Sequence, residues 1–401
     1  MVSRESIVNA LLYCFLIFVL FSGYLFIDYS DNRLNQNFTI RAMVLIGVFL
    51  YLVVSLAIVN ARLDKLPIEL YIFLAFFVYV VGVSIVSNAF LEYISPVIRY
   101  LIYFLAFLLA YQAGRSYSLL RSTVLLVSIL MLIQCLLDII LERGLNINNA
   151  WRIGGSVGSA IGFSAILYII LIFSFYFLIR EKTFQWMILT PLLFLGILLT
   201  ATRSVTFASL VSLPVIYIMS RRNIQSKVFS LLVGSILFFL SIYLILQFSE
   251  IGSRVDVDSL DGDSSTLYRL YIFNTYFSNV SLFDLFFGLG LGGFPGWFEV
   301  VTGESGIAPH SELLWLISEG GVIGVILLSV AYFSFVVRFF LESKAVKIDR
   351  ELAYTTLFLV FSPQLAFQLA NPLYFYQVNI VTAVLLGLVY REYRYLKFRQ
   401  G

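Results

Sequence analysis

Long apolar runs with few or no charged side chains follow one another along this sequence, and they constrain its fold more than any other feature. The first run, residues 7–27, contains 21 residues and no charge. About 20 apolar residues suffice to cross a bilayer as a helix. The chain of 401 residues is 61% hydrophobic and only 12% charged, whereas a soluble domain has about 25% charged residues. A water-soluble globule is therefore excluded, and we predict an all-α, polytopic transmembrane helical bundle.

Twelve apolar runs qualify as membrane spans, so both termini are expected on the same side. They cover residues 7–27, 42–59, 70–86, 97–113, 124–140, 161–179, 186–201, 205–219, 228–246, 313–335, 352–370 and 373–390. With this arrangement 18 of the 26 Lys and Arg residues, including every lysine, fall on the side of the termini, and 8 fall on the other. Because Lys and Arg concentrate in cytoplasmic loops, we expect cytoplasmic termini and one integral membrane domain over residues 1–401.

One long loop, residues 249–311, leaves the bundle on the outer side. Serines and a threonine at 264–266 are typical of a helix N-cap, and apolar residues follow them at helical spacing, which predicts a short helix on the membrane surface. GLGLGG at 288–293 formally matches G-x-G-x-x-G, but the strand and helix of a dinucleotide site are missing around it. We interpret it as a flexible re-entry toward the membrane. The acidic run 256–263 departs from the EF-hand spacing, so no metal site is predicted.

Arginines are the charged residues that stand out on the outer side. Arg152 precedes the sixth run, and Arg203 lies at the tip of a tight turn between the seventh and eighth runs. Arg269 lies on the predicted loop helix, and Arg99 lies at the outer start of the fourth run. Arginine is always charged and forms bidentate hydrogen bonds with phosphate, so convergent arginines would suit a diphosphate. The alternative is that each one extends to a lipid headgroup.

His310 and Glu319 are two further polar residues near the point where the long loop returns to the membrane. Histidine is the side chain best suited to proton transfer near neutral pH, although a single loop histidine can also be an ordinary surface residue. Glu319 lies nine residues further on, in the outer part of a span. It either pairs with a neighbouring arginine or binds and orients a group at that face.

Taken in order, these motifs resemble those of the O-antigen polymerase and ligase superfamily. LLTATRS at 198–204 looks like its T-x-S-R hairpin. TLYRLY at 266–271, followed by FGLGLG at 287–292, is similar to its R-x-x-x-W and G-x-G-x-G stretch. HSELL at 310–314, followed by EGGVIG at 319–324, resembles its H-N-x-x-L and E-x-G-x-x-G signature.

The resemblance extends over most of residues 150–330, with two departures. Arg152 fits the arginine ahead of the sixth span in the family. Ser311 stands where asparagine usually follows the histidine, and Thr202 stands where serine often precedes the arginine. Both departures leave the arginine and the histidine in place.

The resemblance implies an inverting, metal-independent membrane glycosyltransferase that needs no cofactor. Its donor would be a glycan on undecaprenyl diphosphate, presented at the periplasmic face of the bacterial inner membrane. Its partners would be membrane lipid, a chain-length regulator and a flippase, with no nucleic acid. In this scheme the implied residues are His310 as catalytic base, Arg152, Arg203 and Arg269 on the diphosphate, and Arg99, Arg254 and Glu319 in support.

Within the family we favour an O-antigen or surface-polysaccharide polymerase, which joins one lipid-linked glycan to another. The alternative is a ligase that moves the polymer to lipid A–core. A transporter of lipid-linked sugars is a third hypothesis, but transporters often show repeated halves, and this sequence shows none. A peptidoglycan polymerase is a fourth, for which no catalytic acid is identified here.

Overall fold

In the part of the chain that it describes, the computed structural model consists of helices, the loops that connect them and one small β-hairpin. It describes residues 4–22, 24, 46–48, 50, 51, 68–87, 94–113, 117–147, 150–220, 264–307, 309, 311–345, 352, 355, 356 and 376–400. Its helices are α1 (Arg4–Ser22), α2 (Ile68–Val86), α3 (Ile94–Gln112), α4 (Tyr117–Ile140), α5 (Ala160–Glu181), α6 (Phe184–Leu199), α7 (Arg203–Ser220), α8 (Ser264–Asn279), α9 (Leu282–Phe287), α10 (Gly293–Thr302), α11 (Glu312–Ala345) and α12 (Tyr376–Gln400). Strands β1 (Leu145–Ile147) and β2 (Ala150–Arg152) pair antiparallel between α4 and α5.

The predicted all-α membrane fold is confirmed, and each predicted span with a described core falls on a helix. Within the described residues, four helical segments are long and apolar enough to cross a membrane: Ile68–Val86, Tyr117–Ile140, Ala160–Glu181 and Leu313–Phe335. The remaining predicted spans on helices are shorter or less uniformly apolar. The runs 42–59, 228–246 and 352–370 lie largely outside the described residues. The count of twelve therefore stays a prediction.

Helix α5 is the centre of the bundle. In the most apolar 18-residue stretch of α5, 83% of the residues are buried inside the protein. This helix is apolar on every side and is surrounded by α4, α6, α7 and α12. The Phe177 ring stacks on Trp186 of α6 with centroids 4.9 Å apart. A second cluster joins α2 to α11 through Phe76, Val80 and Leu328.

Polar contacts gather at two opposite ends of these helices. At one end, Glu181 at the end of α5 accepts from Arg121 Nε at 2.8 Å and from Trp186 Nε1 at 2.9 Å. At the other end, Gln134 Nε2 of α4 donates to the carbonyl oxygen of Leu20 at 2.8 Å. Helix α4 contributes Arg121 to one end and Gln134 to the other, as expected of a helix that runs the length of the bundle. Which end faces the periplasm stays the prediction made from charge.

Candidate functional site

The hairpin that ends at Arg152 lies at the end of the bundle where Gln134 contacts Leu20, opposite to the Glu181 end. Arg152 pairs with Leu145 across the two strands, and its side chain is half-buried. Its Nε atom is buried and has no hydrogen-bond partner within the described part of the chain. A guanidinium held in this way keeps donors for an anion, which it can bind through more than one N–H.

The loop that follows Arg152 is held by a buried carboxylate that sequence reasoning missed. Asp138 Oδ2 accepts from the backbone N–H of Gly154 at 3.1 Å and of Gly155 at 2.7 Å. Its Oδ1 accepts from the Tyr24 hydroxyl at 2.9 Å. Asp138 is 1% exposed. An acidic residue inside an apolar run marks a functional region by default, and that signal could have singled it out.

Gln134 lies one helical turn before Asp138 and completes the same network. Its Oε1 accepts from the Ser156 N–H at 3.0 Å, while its Nε2 donates to the carbonyl oxygen of Leu20. The Ser156 hydroxyl donates to that same carbonyl oxygen. The loop after Arg152 is thereby joined to the ends of both α1 and α4.

The turn that carries Arg203 lies beside this loop. Helix α6 ends at Leu199 and α7 begins at Arg203, so the predicted break between the seventh and eighth spans is confirmed. The Ile153 N–H donates to the carbonyl oxygen of Leu199 at 3.4 Å. Thr202 Oγ1 donates to the carbonyl oxygen of Ala160 at 3.4 Å. These two hydrogen bonds bring the backbone segments bearing Arg152 and Arg203 together. The Arg203 side chain is exposed at this end.

Arg269 belongs to a different packing unit. The predicted loop helix is confirmed as α8, and it begins at Ser264, so the Ser-Ser-Thr run forms its first turn rather than preceding it. Arg269 is half-buried. Helix α8 contributes Ile272 and Tyr276 to a buried cluster that also contains Phe298 of α10 and Leu314 of α11. Arg269 is therefore carried on a helix that shares this cluster with the start of α11.

His310 lies outside the described residues, but both of its neighbours are described. Pro309 is buried. Ser311 Oγ accepts from the Leu314 N–H at 3.3 Å, and the Ser311 carbonyl oxygen accepts from the Trp315 N–H at 2.9 Å. Ser311 is therefore the N-cap of α11. Because serine and asparagine are both strong N-caps, the departure from the family's asparagine preserves this cap, and His310 directly precedes it.

The glycine-rich loop 288–293 docks on α2 and α11. The Leu289 N–H donates to the Ser318 carbonyl oxygen at 2.7 Å. The Leu291 N–H donates to Ser84 Oγ at 2.8 Å, and the Gly292 N–H donates to Glu319 Oε1 at 2.8 Å. These amides therefore donate to groups within the protein and hold the loop in place.

Glu319 is buried at this junction, with 1% of its surface exposed. Its backbone carbonyl oxygen accepts from the Gly290 N–H at 3.1 Å, and its carboxylate accepts from Gly292 at the start of α10. Glu319 thus holds the loop. Of the two remaining supporting residues, Arg99 lies on α3 with its side chain outside the described residues, and Arg254 lies outside them altogether. No cluster of three or more possible metal ligands occurs among the described side chains.

Together these features define a polytopic helical membrane protein with arginine-bearing loops at one end of its bundle. Residues 188–329 match the family model described as O-antigen ligase. The predicted resemblance to the O-antigen polymerase and ligase superfamily is confirmed by this match. No curated protein matches the chain. The matched stretch contains Arg203, Arg269, His310 and Glu319, whereas Arg152 lies before it.

Proposed function

We propose that this chain is a membrane glycosyltransferase that joins undecaprenyl-diphosphate-linked oligosaccharide repeat units at the periplasmic face of the bacterial inner membrane. The observation that carries the proposal is the backbone contact between the Arg152 loop and the Arg203 turn at one end of an apolar bundle. It brings two arginine-bearing segments together, and the Arg203 turn lies within the stretch matched to the O-antigen ligase family. We also propose cytoplasmic termini, and a chain-length regulator and a flippase as partners.

The reaction needs stabilisation of a leaving diphosphate and removal of one proton. An acceptor sugar hydroxyl attacks the anomeric carbon, its oxygen forms the new glycosidic bond, and the bond to the diphosphate breaks with inversion. Arg152, Arg203 and Arg269 would stabilise the charge that develops on the departing diphosphate. His310, directly before the N-cap of α11, would take the proton of the attacking hydroxyl. These residues supply both functions without a cofactor or a metal.

A ligase is the second candidate, because the matching family model is described as O-antigen ligase. The donor site would be the same in both enzymes. The two differ in the acceptor, which is another lipid-linked glycan for the polymerase and lipid A–core for the ligase.

The test is a reconstitution with purified protein and undecaprenyl-diphosphate-linked repeat units, with and without lipid A–core. A ladder of products without added acceptor supports the polymerase, and product only with lipid A–core supports the ligase. We expect loss of product in His310→Ala and Arg203→Ala, and normal product in Arg121→Ala, whose arginine lies at the opposite end of the bundle. Full activity of the first two variants, or no product with a cognate glycan, would overturn the proposal.

A further inference from the structure

The network beneath the Arg152 loop joins two separate parts of the chain to one carboxylate on a third part. Asp138 accepts from Tyr24, which follows α1, and from Gly154 and Gly155, which follow Arg152. A carboxylate buried in an apolar helix is unfavourable unless such hydrogen bonds compensate for its lost hydration. Apolar packing alone does not require a charge there, so the arrangement calls for another explanation.

We propose that Asp138 is a positioning residue that fixes Arg152 for binding a lipid diphosphate, with Gln134 as its helper. This inference rests on the proposed function. Arg152 is held on its upstream side by the pairing of β2 with β1. On its downstream side it is held by the two glycine N–H groups that donate to Asp138. The backbone that bears Arg152 is therefore held on both sides, and the Ile153 N–H holds it next to the Arg203 turn through the Leu199 carbonyl oxygen.

The structure also explains why a carboxylate suits this position better than an amide. Oδ2 accepts two N–H groups from consecutive glycines while Oδ1 accepts a hydroxyl, so both oxygens act as acceptors. An asparagine has the same volume but replaces one acceptor with an NH₂ group. In Asp138→Asn this NH₂ group faces either the glycine N–H groups, from which it cannot accept, or the Tyr24 hydroxyl, which must then accept instead of donate. In both cases the glycine N–H groups lose a charged acceptor. We expect the loop after Arg152 to become more mobile.

The test combines two measurements on the full chain in nanodiscs. Hydrogen–deuterium exchange over residues 150–157 reports whether the loop is held. Binding of undecaprenyl diphosphate reports whether Arg152 is positioned. We expect Asp138→Asn to increase exchange in this segment and to raise the Kd about 10-fold, which corresponds to about 1.4 kcal/mol, close to the worth of one hydrogen bond to a charged group.

A double-mutant cycle separates positioning from general destabilisation. If Asp138 acts through Arg152, Asp138→Asn will weaken binding no further in an Arg152→Ala background. The matched control is Glu181→Gln, which removes a polar contact at the opposite end of the same pair of helices, and it should leave the Kd unchanged.

The failures are distinguishable. If Arg152→Ala weakens binding but Asp138→Asn does not, or if their effects add, the positioning role is wrong while the proposed function stands. If neither Arg152→Ala nor Arg203→Ala weakens binding, the proposed diphosphate site itself is wrong. Faster exchange with an unchanged Kd would show that Asp138 is only structural.

Discussion

Gly321 is the residue at which substitution should most damage the docking of the glycine-rich loop. Its backbone has φ +62° and ψ −173°, a region open essentially to glycine alone, and a side chain there costs about 1–3 kcal/mol. A Cβ would also overlap the Phe286 carbonyl oxygen and lie 2.6 Å from the Gly288 backbone nitrogen. Such overpacking costs about 1–3 kcal/mol more. Gly321→Ala should therefore lower the free energy of unfolding by about 2–6 kcal/mol.

Gly320 is a matched control in the adjacent position. A Cβ on Gly320 would lie 3.5 Å from Val80 Cγ2, an ordinary van der Waals distance. Because alanine is favoured over glycine in helices by about 1 kcal/mol, Gly320→Ala should be neutral or stabilising. Unfolding by SDS in mixed micelles, followed by tryptophan fluorescence, measures both variants. If Gly321→Ala were as stable as Gly320→Ala, the described interlock between the loop and α11 would be wrong.

Three further predictions concern single contacts. Ser84→Ala removes the acceptor of the buried Leu291 N–H and should lower the free energy of unfolding by about 1–3 kcal/mol. In the same assay the control Ser87→Ala, at an exposed position, should change this free energy by less than about 0.5 kcal/mol. Burial, with the nearby Asp284 charge, raises the pKa of Tyr276 above its ordinary value of 10.0. The unfolded state therefore loses this proton first, and stability should fall as the pH rises above about 10. Tyr276→Phe should reduce that fall in unfolding measured from pH 8 to 11, and an unchanged slope would contradict the assignment. Gly155→Ala places a Cβ against the Phe163 ring and 2.8 Å from Gln134 Oε1, at φ +53°. It should lower the melting temperature and weaken undecaprenyl-diphosphate binding, while Gly296→Ala, with no atom within 4 Å of its Cβ, should do neither.

The helices were predictable because a bilayer-spanning helix is encoded locally. Residues 160–181 are apolar on every side, and no distant contact is needed to recognise such a segment. The break between α6 and α7 was also predictable, because basic residues on both flanks of the pair required an even number of crossings. Its detail was not, since Ala201 adopts a positive φ of 49° that its sequence context does not indicate.

The supports of the candidate site were harder to foresee, because they join residues far apart in sequence. Asp138 binds glycines 16 and 17 residues later, and Ser84 binds an amide 207 residues later. The β1–β2 hairpin is only three residues per strand, too short for an alternating pattern to be seen. Asp138 itself was visible within the predicted span 124–140, where an isolated acid is already a reason to look for a function.

The glycine motifs and the charged residues of the family resemblance serve different physical needs. Gly288 and Gly321 both have positive φ, and a Cβ on either would meet the backbone of the other's segment. The two glycine-rich motifs therefore allow a close contact between a loop and a helix. Ser311 also has a structural role, because it is the N-cap of α11. The proposed chemistry therefore depends on the arginines and His310. A change in either glycine motif should act on activity only through stability, whereas Arg203→Ala should abolish activity in a protein that remains folded.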